Sequence, residues 1–169
     1  IAYLHAEVFP GYIKNKGFAY YNIEGKKAFD NIYLEAEAFD ENQRAIVLNK
    51  NKTYSLIDTH GEEIIKGDIG QMKYLGNQYY AVFDKSGAFK VYDKDGKQVL
   101  DNTFTDLNQN SMMKYHDKVY LTLNKNGRSY LYDMSSYKVI FDIEGTIELK
   151  DGYFRANLVN YTMNGEKIK

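Results

Sequence analysis

The stretch AFKVYDKDGKQVL, residues 88–100, joins a short alternating run to a polar turn and a second apolar run. The same order recurs in GFAYYNIEGKKAF (17–29), TYSLIDTHGEEII (53–65) and SYLYDMSSYKVIF (129–141), and a weaker copy, LVNYTMNGEKIK (158–169), ends the chain. A repeat of this length is typical of folds in which one small unit is stacked several times. The sequence therefore predicts about five copies of one strand–turn–strand unit.

The turns of these copies share a polar residue and a glycine. The glycine is Gly25, Gly61, Gly96 or Gly165, and Ser136 is predicted to hold this place in the fourth copy. Three residues earlier stands Asn22, Asp58, Asp93, Asp133 or Thr162. An Asp or Asn here accepts hydrogen bonds from backbone amides two residues on, and glycine supplies the positive φ that closes the turn. We therefore expect hairpin turns, each followed by a second strand.

Further strands precede the middle copies. Alternating runs are separated there by NKNK (49–52), DKSG (84–87) and NKNG (124–127), which are good hairpin links. Each unit is therefore predicted to be a meander of three strands, to which a segment such as FTDLNQNSMM (104–113) would add a short fourth strand or a loop. The best helical candidate, NIYLEAEAFDENQ (31–43), is predicted to be extended or a single turn because of its place in the repeat.

Meanders of this size cannot bury their apolar faces alone and must stack on their neighbours. The predicted fold class is all-β, with about five repeated antiparallel meanders of three to four strands in a propeller-like arrangement; an open β-solenoid or open meander is the alternative. A length of 169 residues suits a single repeat domain, 1–169. Its units are predicted near 7–42, 43–77, 78–117, 118–150 and 151–169.

The stretch EAEAFDENQRAIVLNKNKTYSLIDTHGEEII (35–65) resembles the bacterial WG-containing β-repeat. That repeat runs through an apolar strand to Trp-Gly, an aromatic or aliphatic pair, Asp, two variable residues, Gly, Lys or Glu, and an aliphatic pair. The runs 57–65 and 92–100 fit this ending, and the resemblance covers nearly the whole chain. The copies are degenerate, because the Trp position is filled by Phe18, Tyr54, Phe89, Ser129 and Leu158. The resemblance implies a binding or accessory region of a larger bacterial protein, without a specific activity.

Composition restricts the partners. The net charge is -1, from 22 basic and 23 acidic residues, so nothing favours nucleic acid as a partner. No apolar run approaches the roughly 20 residues that cross a bilayer, so no membrane insertion is expected. The chain begins at Ile1 instead of Met, which indicates a fragment. A Cys-free chain rich in Asn, Lys and Tyr suits a bacterial protein, and an extracellular or cell-surface location is favoured.

Motifs for catalysis or cofactor binding are weak. No metal-ligand spacing relates the three histidines, His5, His60 and His116. The run 93–96 resembles part of a calcium loop, but Val91 and Asn102 replace two expected acids, so a β-turn is predicted. No nucleophile elbow contains Ser111, Ser129, Ser135 or Ser136, and the glycines form no phosphate loop. We predict no enzyme activity, no cofactor and no metal site.

Tyrosines are the candidate binding residues, because a flat ring with a hydroxyl stacks on sugars and anchors protein interfaces. Four of the 17 occupy equivalent repeat positions, four residues before the turn glycine or its substitute: Tyr21, Tyr92, Tyr132 and Tyr161. They would line one repeated binding surface, or they would pack between units where Ile57 holds the same position.

The predicted function is that of a non-catalytic interaction module with an unknown partner. Protein–protein recognition is the first hypothesis. Binding of a cell-wall or surface glycan through the aligned tyrosines is the alternative, and a structural spacer is the second alternative.

Overall fold

The structure is a computed structural model that describes residues 6–105 and 112–169. These residues form sixteen β-strands and contain no helix, so the predicted all-β class is confirmed. Residues 31–43 are extended around one short strand, as expected. The prediction for FTDLNQNSMM falls mainly on residues 106–111, which lie outside the described part of the chain, as does His5.

The strands form five small antiparallel sheets, and each sheet is a meander in chain order. The first sheet contains β1 (Val8–Ile13) and β2 (Gly17–Asn22). The second contains β3 (Glu35–Ala36), β4 (Ala45–Leu48), β5 (Tyr54–Ile57) and β6 (Glu63–Ile65). The third contains β7 (Gln71–Gly76), β8 (Tyr79–Phe83) and β9 (Phe89–Asp93). The fourth contains β10 (Met112–Tyr115), β11 (Lys118–Lys125), β12 (Arg128–Asp133) and β13 (Lys138–Glu144), and the fifth contains β14 (Ile147–Leu149), β15 (Phe154–Ala156) and β16 (Val159–Tyr161).

Residues beyond the last turn complete three of these sheets. Single antiparallel bridges join Tyr21 to Lys27, Tyr92 to Gln98 and Tyr161 to Lys167. The predicted meanders of three to four strands are therefore confirmed. The links at 49–52, 84–87 and 124–127 connect antiparallel strands, as expected.

The chain divides into two compact units. The first holds residues up to Tyr74 together with Gln78–Gln98, and the second holds Leu75–Asn77 and Val99–Lys169. The single domain and the boundaries of the five repeated copies, which the sequence predicts, stay predictions.

In the first unit, successive sheets share apolar layers. Ala45 and Val47 on β4 pack with Tyr20 of the first sheet, whereas Ile46 packs with Met72 of the third sheet. Alternate residues of a strand point to opposite faces, so the run Ala45–Leu48 is apolar because both faces of its sheet are covered. Each large buried side chain of this kind stabilises the fold by about 1.5–3 kcal/mol.

In the second unit, one apolar layer joins the fourth and fifth sheets. Tyr120 and Phe141 of the fourth sheet pack with Phe154 of the fifth. Their rings meet edge to face, with centroids 5.1 Å apart for Tyr120–Phe154 and 5.8 Å for Phe141–Phe154. Such edge-to-face pairs add to the free energy gained by burying the ring area.

The predicted turn chemistry is confirmed in detail at Asp93. Its amide donates to the Lys97 carbonyl at 2.8 Å, and its carbonyl accepts from the Gly96 amide at 3.1 Å. Its Oδ1 accepts from the amides of Asp95 and Lys97 at 2.9 and 3.0 Å. The backbone pattern recurs at Asn22, Asp58 and Thr162. The unit-turn glycines, Gly25, Gly61, Gly96 and Gly165, have φ of 79°, 81°, 83° and 89°.

The fourth turn differs from its prediction. The positive φ, 57°, belongs to Tyr137, whose amide donates to the Asp133 carbonyl at 2.8 Å. The prediction that Ser136 holds the glycine's place is therefore wrong. The cause is an extra residue in this turn, since Asp133 pairs with Lys138, whereas the amide of Asp58 bonds to a residue only four positions on, Glu62.

Bulges follow two of the turns at equivalent places. In the second sheet Ile57 pairs with Glu63 and Leu56 with Ile65, which leaves Ile64 as the extra residue. In the fourth sheet Tyr132 pairs with Val139 and Leu131 with Phe141, which leaves Ile140. Ile64 is three residues after Gly61, and Ile140 is three residues after Tyr137. The positive-φ residue, and not Ser136, is therefore the correct point of alignment between the copies.

Candidate functional site

A polar cleft lies in the first unit at the end of the second sheet. Its volume is about 770 Å³. Residues of the β4–β5 turn, of β5, of β6 and of the segment after β6 line it: Asn49, Asn51, Thr53, Ser55, Glu63, Lys66, Gly67 and Asp68. Every residue of this lining except Gly67 has a side chain with a hydrogen-bonding group, so the surface of the cleft is polar.

Ser55 connects the two sides of this cleft. The residue is only 1% exposed. The Asn49 amide donates to the Ser55 hydroxyl at 2.8 Å, and that hydroxyl donates to Oε2 of Glu63 at 2.7 Å. The turn therefore holds the Glu63 carboxylate through the buried Ser55 hydroxyl. Glu63 itself is exposed to solvent.

The charges around the cleft differ in how far they are neutralised. The Lys85 ammonium lies 2.8 Å from the carboxylate of Asp68. Glu63 acts at longer range on Tyr33: burial raises the pKa of the Tyr33 hydroxyl to about 12, and the negative charge of Glu63 contributes to the rise. The negative charge of Glu63 therefore acts on the buried Tyr33 hydroxyl as well as in the cleft.

No histidine is among the residues that line the cleft. Ser55 bonds to an amide and a carboxylate, and a serine nucleophile needs an adjacent general base such as histidine. Within residues 6–105 and 112–169, no three of the histidine, aspartate and glutamate side chains are grouped so that they could hold a metal ion. No helix in this described part is long and apolar enough to cross a membrane.

The four predicted tyrosines have equivalent places in the sheets. Each lies one residue before the Asn, Asp or Thr of its turn. Each pairs with a residue of the preceding strand on one side and with a residue beyond the turn on the other. The preceding-strand partners are Phe9 for Tyr21, Tyr80 for Tyr92, Leu121 for Tyr132 and Phe154 for Tyr161.

Burial separates these four tyrosines. Tyr132 is 3% exposed, its hydroxyl accepts a hydrogen bond from the Asn102 amide at 3.1 Å, and its ring stands edge-on to Phe104. Tyr21, Tyr92 and Tyr161 are half-buried. Tyr161 packs on Phe141 with ring centroids 4.8 Å apart. Tyr132 is therefore a core residue, and the other three tyrosines each keep part of the side chain accessible.

A second polar cluster, which the sequence did not single out, fixes the turn that precedes β4. The Tyr80 hydroxyl donates to Asp40, and the Tyr74 hydroxyl donates to Glu41. Burial raises the pKa of both tyrosines, and the hydrogen bonds to the acids raise it further. On the other side of the turn, Arg44 Nε donates to the Lys94 carbonyl at 2.8 Å. These contacts join the turn to the third sheet, which explains why the turn contains polar residues.

The structure also identifies functional candidates that sequence reasoning missed. Asn49, Ser55 and Glu63 are separated in the chain, and only the pairing of β5 with β4 and β6 brings them together. The available signal was Ser55, a polar residue inside an apolar strand between Tyr54 and Leu56.

Comparisons with known proteins show similarity of fold only. No protein-family model matches the chain, and no curated protein resembles it closely enough to count as a relative. A crystal structure of the eukaryotic initiation factor is 12% identical, with a TM-score of 0.56 over 96% of this chain and 52% of that one. BamB from Moraxella catarrhalis is 12% identical, with a TM-score of 0.41 over 95% of this chain and 60% of that one.

The WD40 β-propeller domain of Doa1 is also similar, at 14% identity and a TM-score of 0.34 over 96% of this chain and 62% of that one. The chain thus spans between half and two thirds of the length of these three proteins. Its class is all-β, with five small sheets that are meanders in chain order, as in the blades of a propeller.

Proposed function

We propose that the chain is a non-catalytic recognition module that binds a protein partner through the polar cleft of the first unit. One observation carries this proposal: the cleft presents the Glu63 carboxylate, held by the buried Ser55 hydroxyl, among side chains that donate and accept hydrogen bonds. Such groups match the N–H and C=O groups of an extended peptide segment. WG-type ancestry of the units remains part of this proposal.

The lining favours a peptide over a sugar at this place. Carbohydrate sites commonly include an aromatic ring on which the sugar stacks, and no ring is among the residues that line the cleft. Glu63 would select a cationic or N–H-rich segment, because a held carboxylate forms the stronger, charge-assisted hydrogen bonds.

Selection from a random peptide library displayed on phage tests this function. The full chain serves as bait, and the selected peptides are then measured against Glu63→Gln and Asn51→Ala. Glu62→Gln is the matched control, because Glu62 is the exposed neighbour and does not line the cleft. We expect Glu63→Gln to weaken binding of the selected peptides by about tenfold, the loss of one charge-assisted hydrogen bond. Peptides that bind all three variants equally would show that the cleft is not the recognition site.

A glycan is the second candidate ligand, favoured by the equivalent positions of the half-buried Tyr21, Tyr92 and Tyr161. A panel of cell-wall polysaccharides, followed by chemical shifts of labelled tyrosines, tests it. Binding should move the signals of these three residues and leave that of the buried Tyr132 unchanged. If no tyrosine signal moves, the glycan candidate fails; if the peptide selection also gives no cleft-dependent binder, the spacer hypothesis is preferred.

A further inference from the structure

The bulge in β6 brings two opposite charges to one face of the second sheet. Residues three positions apart on a regular strand point to opposite faces. Here the pairing of β6 with β5 leaves Ile64 as an extra residue, and Ile64 and Ile65 both pack in the apolar layer between the second and third sheets. Lys66 therefore follows on the face of Glu63, and both residues line the polar cleft.

Neither charge is neutralised within the part of the chain that the structure describes. No ion pair there includes the Glu63 carboxylate or the Lys66 ammonium, and the two do not pair with each other. Asp68, the other charged residue of the lining, is paired with the Lys85 ammonium at 2.8 Å. The cleft therefore combines one available anion with one available cation.

The Glu63 carboxylate is held where it does not reach Lys66. Its Oε2 accepts a hydrogen bond at 2.7 Å from the hydroxyl of Ser55, a residue that is 1% exposed. Its Oε1 accepts no hydrogen bond from any residue that the structure describes. A ligand that approaches the cleft therefore meets one carboxylate oxygen without a donor and, on the same face, an ammonium group without an acceptor.

A ligand with both charges fits this arrangement better than a ligand with one. A partner with only a cation would lie against Glu63 and displace water from Lys66 without giving it an acceptor, which costs free energy. Side chains two positions apart share one face of an extended peptide and are about 7 Å apart along it. Because Ile64 is an extra residue, Glu63 and Lys66 are likewise two regular positions apart on their strand.

We propose that the cleft recognises an extended peptide segment in which a basic and an acidic side chain are separated by one residue. The basic side chain pairs with Glu63 and the acidic one with Lys66, so both unpaired charges of the cleft receive a partner. Electrostatic complementarity of this kind fixes the register of the bound segment. The inference rests on the proposed function, peptide binding in the cleft, and adds the kind of peptide that is bound.

Parallel phage selections on the unmodified chain and on Lys66→Gln test the proposal. Peptides selected on the unmodified chain should contain Lys or Arg and Asp or Glu at positions separated by one residue. Peptides selected on Lys66→Gln should keep the basic residue and lose the acidic one. Lys73→Gln is the matched control, because Lys73 is also exposed but lies on β7, outside the lining of the cleft. Selection on this control should give the same peptides as the unmodified chain.

Affinities of one selected peptide complete the test. Exchanging its acidic residue for the corresponding amide should weaken binding to the unmodified chain by about tenfold, and binding to Lys66→Gln by about twofold or less. Exchanging its basic residue for Gln should weaken binding to the unmodified chain in the same way and have little effect on binding to Glu63→Gln.

The outcomes separate this proposal from the proposed function. Binding that depends on Glu63 but not on Lys66 or on an acidic residue of the peptide would overturn the paired-charge motif and leave peptide binding in the cleft standing. If neither Glu63→Gln nor Lys66→Gln changes the affinity, the cleft is not the recognition site and both proposals fail. Far-ultraviolet circular dichroism of each variant confirms that it is folded.

Discussion

At the scale of single residues, Leu158 has a backbone conformation that is unfavourable for a bulky side chain. It has φ of 64° at the tip of the β15–β16 hairpin, and its side chain is 86% exposed. A bulky residue in the left-handed region is strained by roughly 1–2 kcal/mol, and exposure leaves little packing to offset that strain. The hairpin at Asn126–Gly127 has positive φ at both residues too, but with glycine in the second place.

Leu158→Gly is therefore expected to raise the free energy of unfolding by about 1 kcal/mol, measured by urea denaturation. Leu158→Ala is the matched control, because alanine keeps the strained conformation while removing the same apolar side chain. An equal gain from both substitutions would locate the cost in the exposed side chain and not in the backbone.

Local turn chemistry is the part of the structure that could be predicted residue by residue. Asp93 and Gly96 act within a few positions of each other, so their types determine the turn directly. Tyr137 could not be predicted in the glycine's place, because no sequence signal marks the extra residue in that turn. The contact of Ser55 with Glu63 could not be predicted either, since it depends on the register of β5 with β6, which a bulge shifts.

At the scale of elements, the turn of one copy lies against the copy before it, in addition to the apolar layers between sheets: a methyl group at Gly96 would lie 2.6 Å from the carbonyl oxygen of Ile64, and one at Gly165 would lie 2.9 Å from Cγ2 of Ile140. Gly25 and Gly96 have nearly equal φ, 79° and 83°, but only Gly96 lies against backbone, the Ile64 carbonyl. An alanine at either position has the same conformational cost, so the difference between the two substitutions isolates the contact.

Gly25→Ala is expected to lower the free energy of unfolding by about 1 kcal/mol and Gly96→Ala by about 3 kcal/mol or more. The difference arises because the new methyl group at residue 96 would stand 2.6 Å from the Ile64 carbonyl oxygen, which cannot move aside without displacing its strand. Chemical denaturation of both variants measures the difference. Equal losses would mean that the turn moves away from Ile64 at no cost, and the contact would then contribute nothing to the stability of the sheets.

At the scale of the whole molecule, the tyrosine-rich core determines how stability responds to alkali. Burial raises the pKa of a set of hydroxyls in both units, with neighbouring charges or hydrogen bonds adding to it: Tyr20, Tyr33, Tyr74, Tyr80, Tyr120 and Tyr132. A folded chain with raised values binds more protons above pH 10 than the unfolded chain does. Stability from this source is complete below pH 10 and is lost as the pH rises through the folded values.

For Tyr33, whose pKa rises from 10.0 to about 12, this stability is lost between pH 10 and about pH 12. We expect the free energy of unfolding to fall steeply across it, and tyrosinate absorbance to rise together with loss of circular dichroism. Tyr33→Phe should make the fall shallower, because it removes one of the linked groups. If tyrosinate absorbance rises fully near pH 10 while the chain is still folded, the buried hydroxyls are not protected.

The sequence anticipates the number and type of sheets well, because alternation and turns recur with every copy. It does not show how the copies meet. Ile64 and Ile140 look like ordinary strand residues, and their role depends on bulges and on a glycine about a unit further along the chain. Burial of the tyrosines could not be predicted either, since equivalent positions of two copies hold the buried Tyr132 and the half-buried Tyr21.

A contact between the turn glycine of one copy and an isoleucine of the copy before it occurs twice, at Gly96–Ile64 and at Gly165–Ile140, and it has a consequence for how such a chain can change. A copy that has both the glycine and the isoleucine can follow any other copy that has them, because neither residue depends on which neighbour provides the other. Duplication of one whole copy that has both residues, about 35 residues as measured from Gly61 to Gly96, would then create one more contact of the same kind. Recombination between two such copies would therefore lengthen or shorten the protein in steps of one copy.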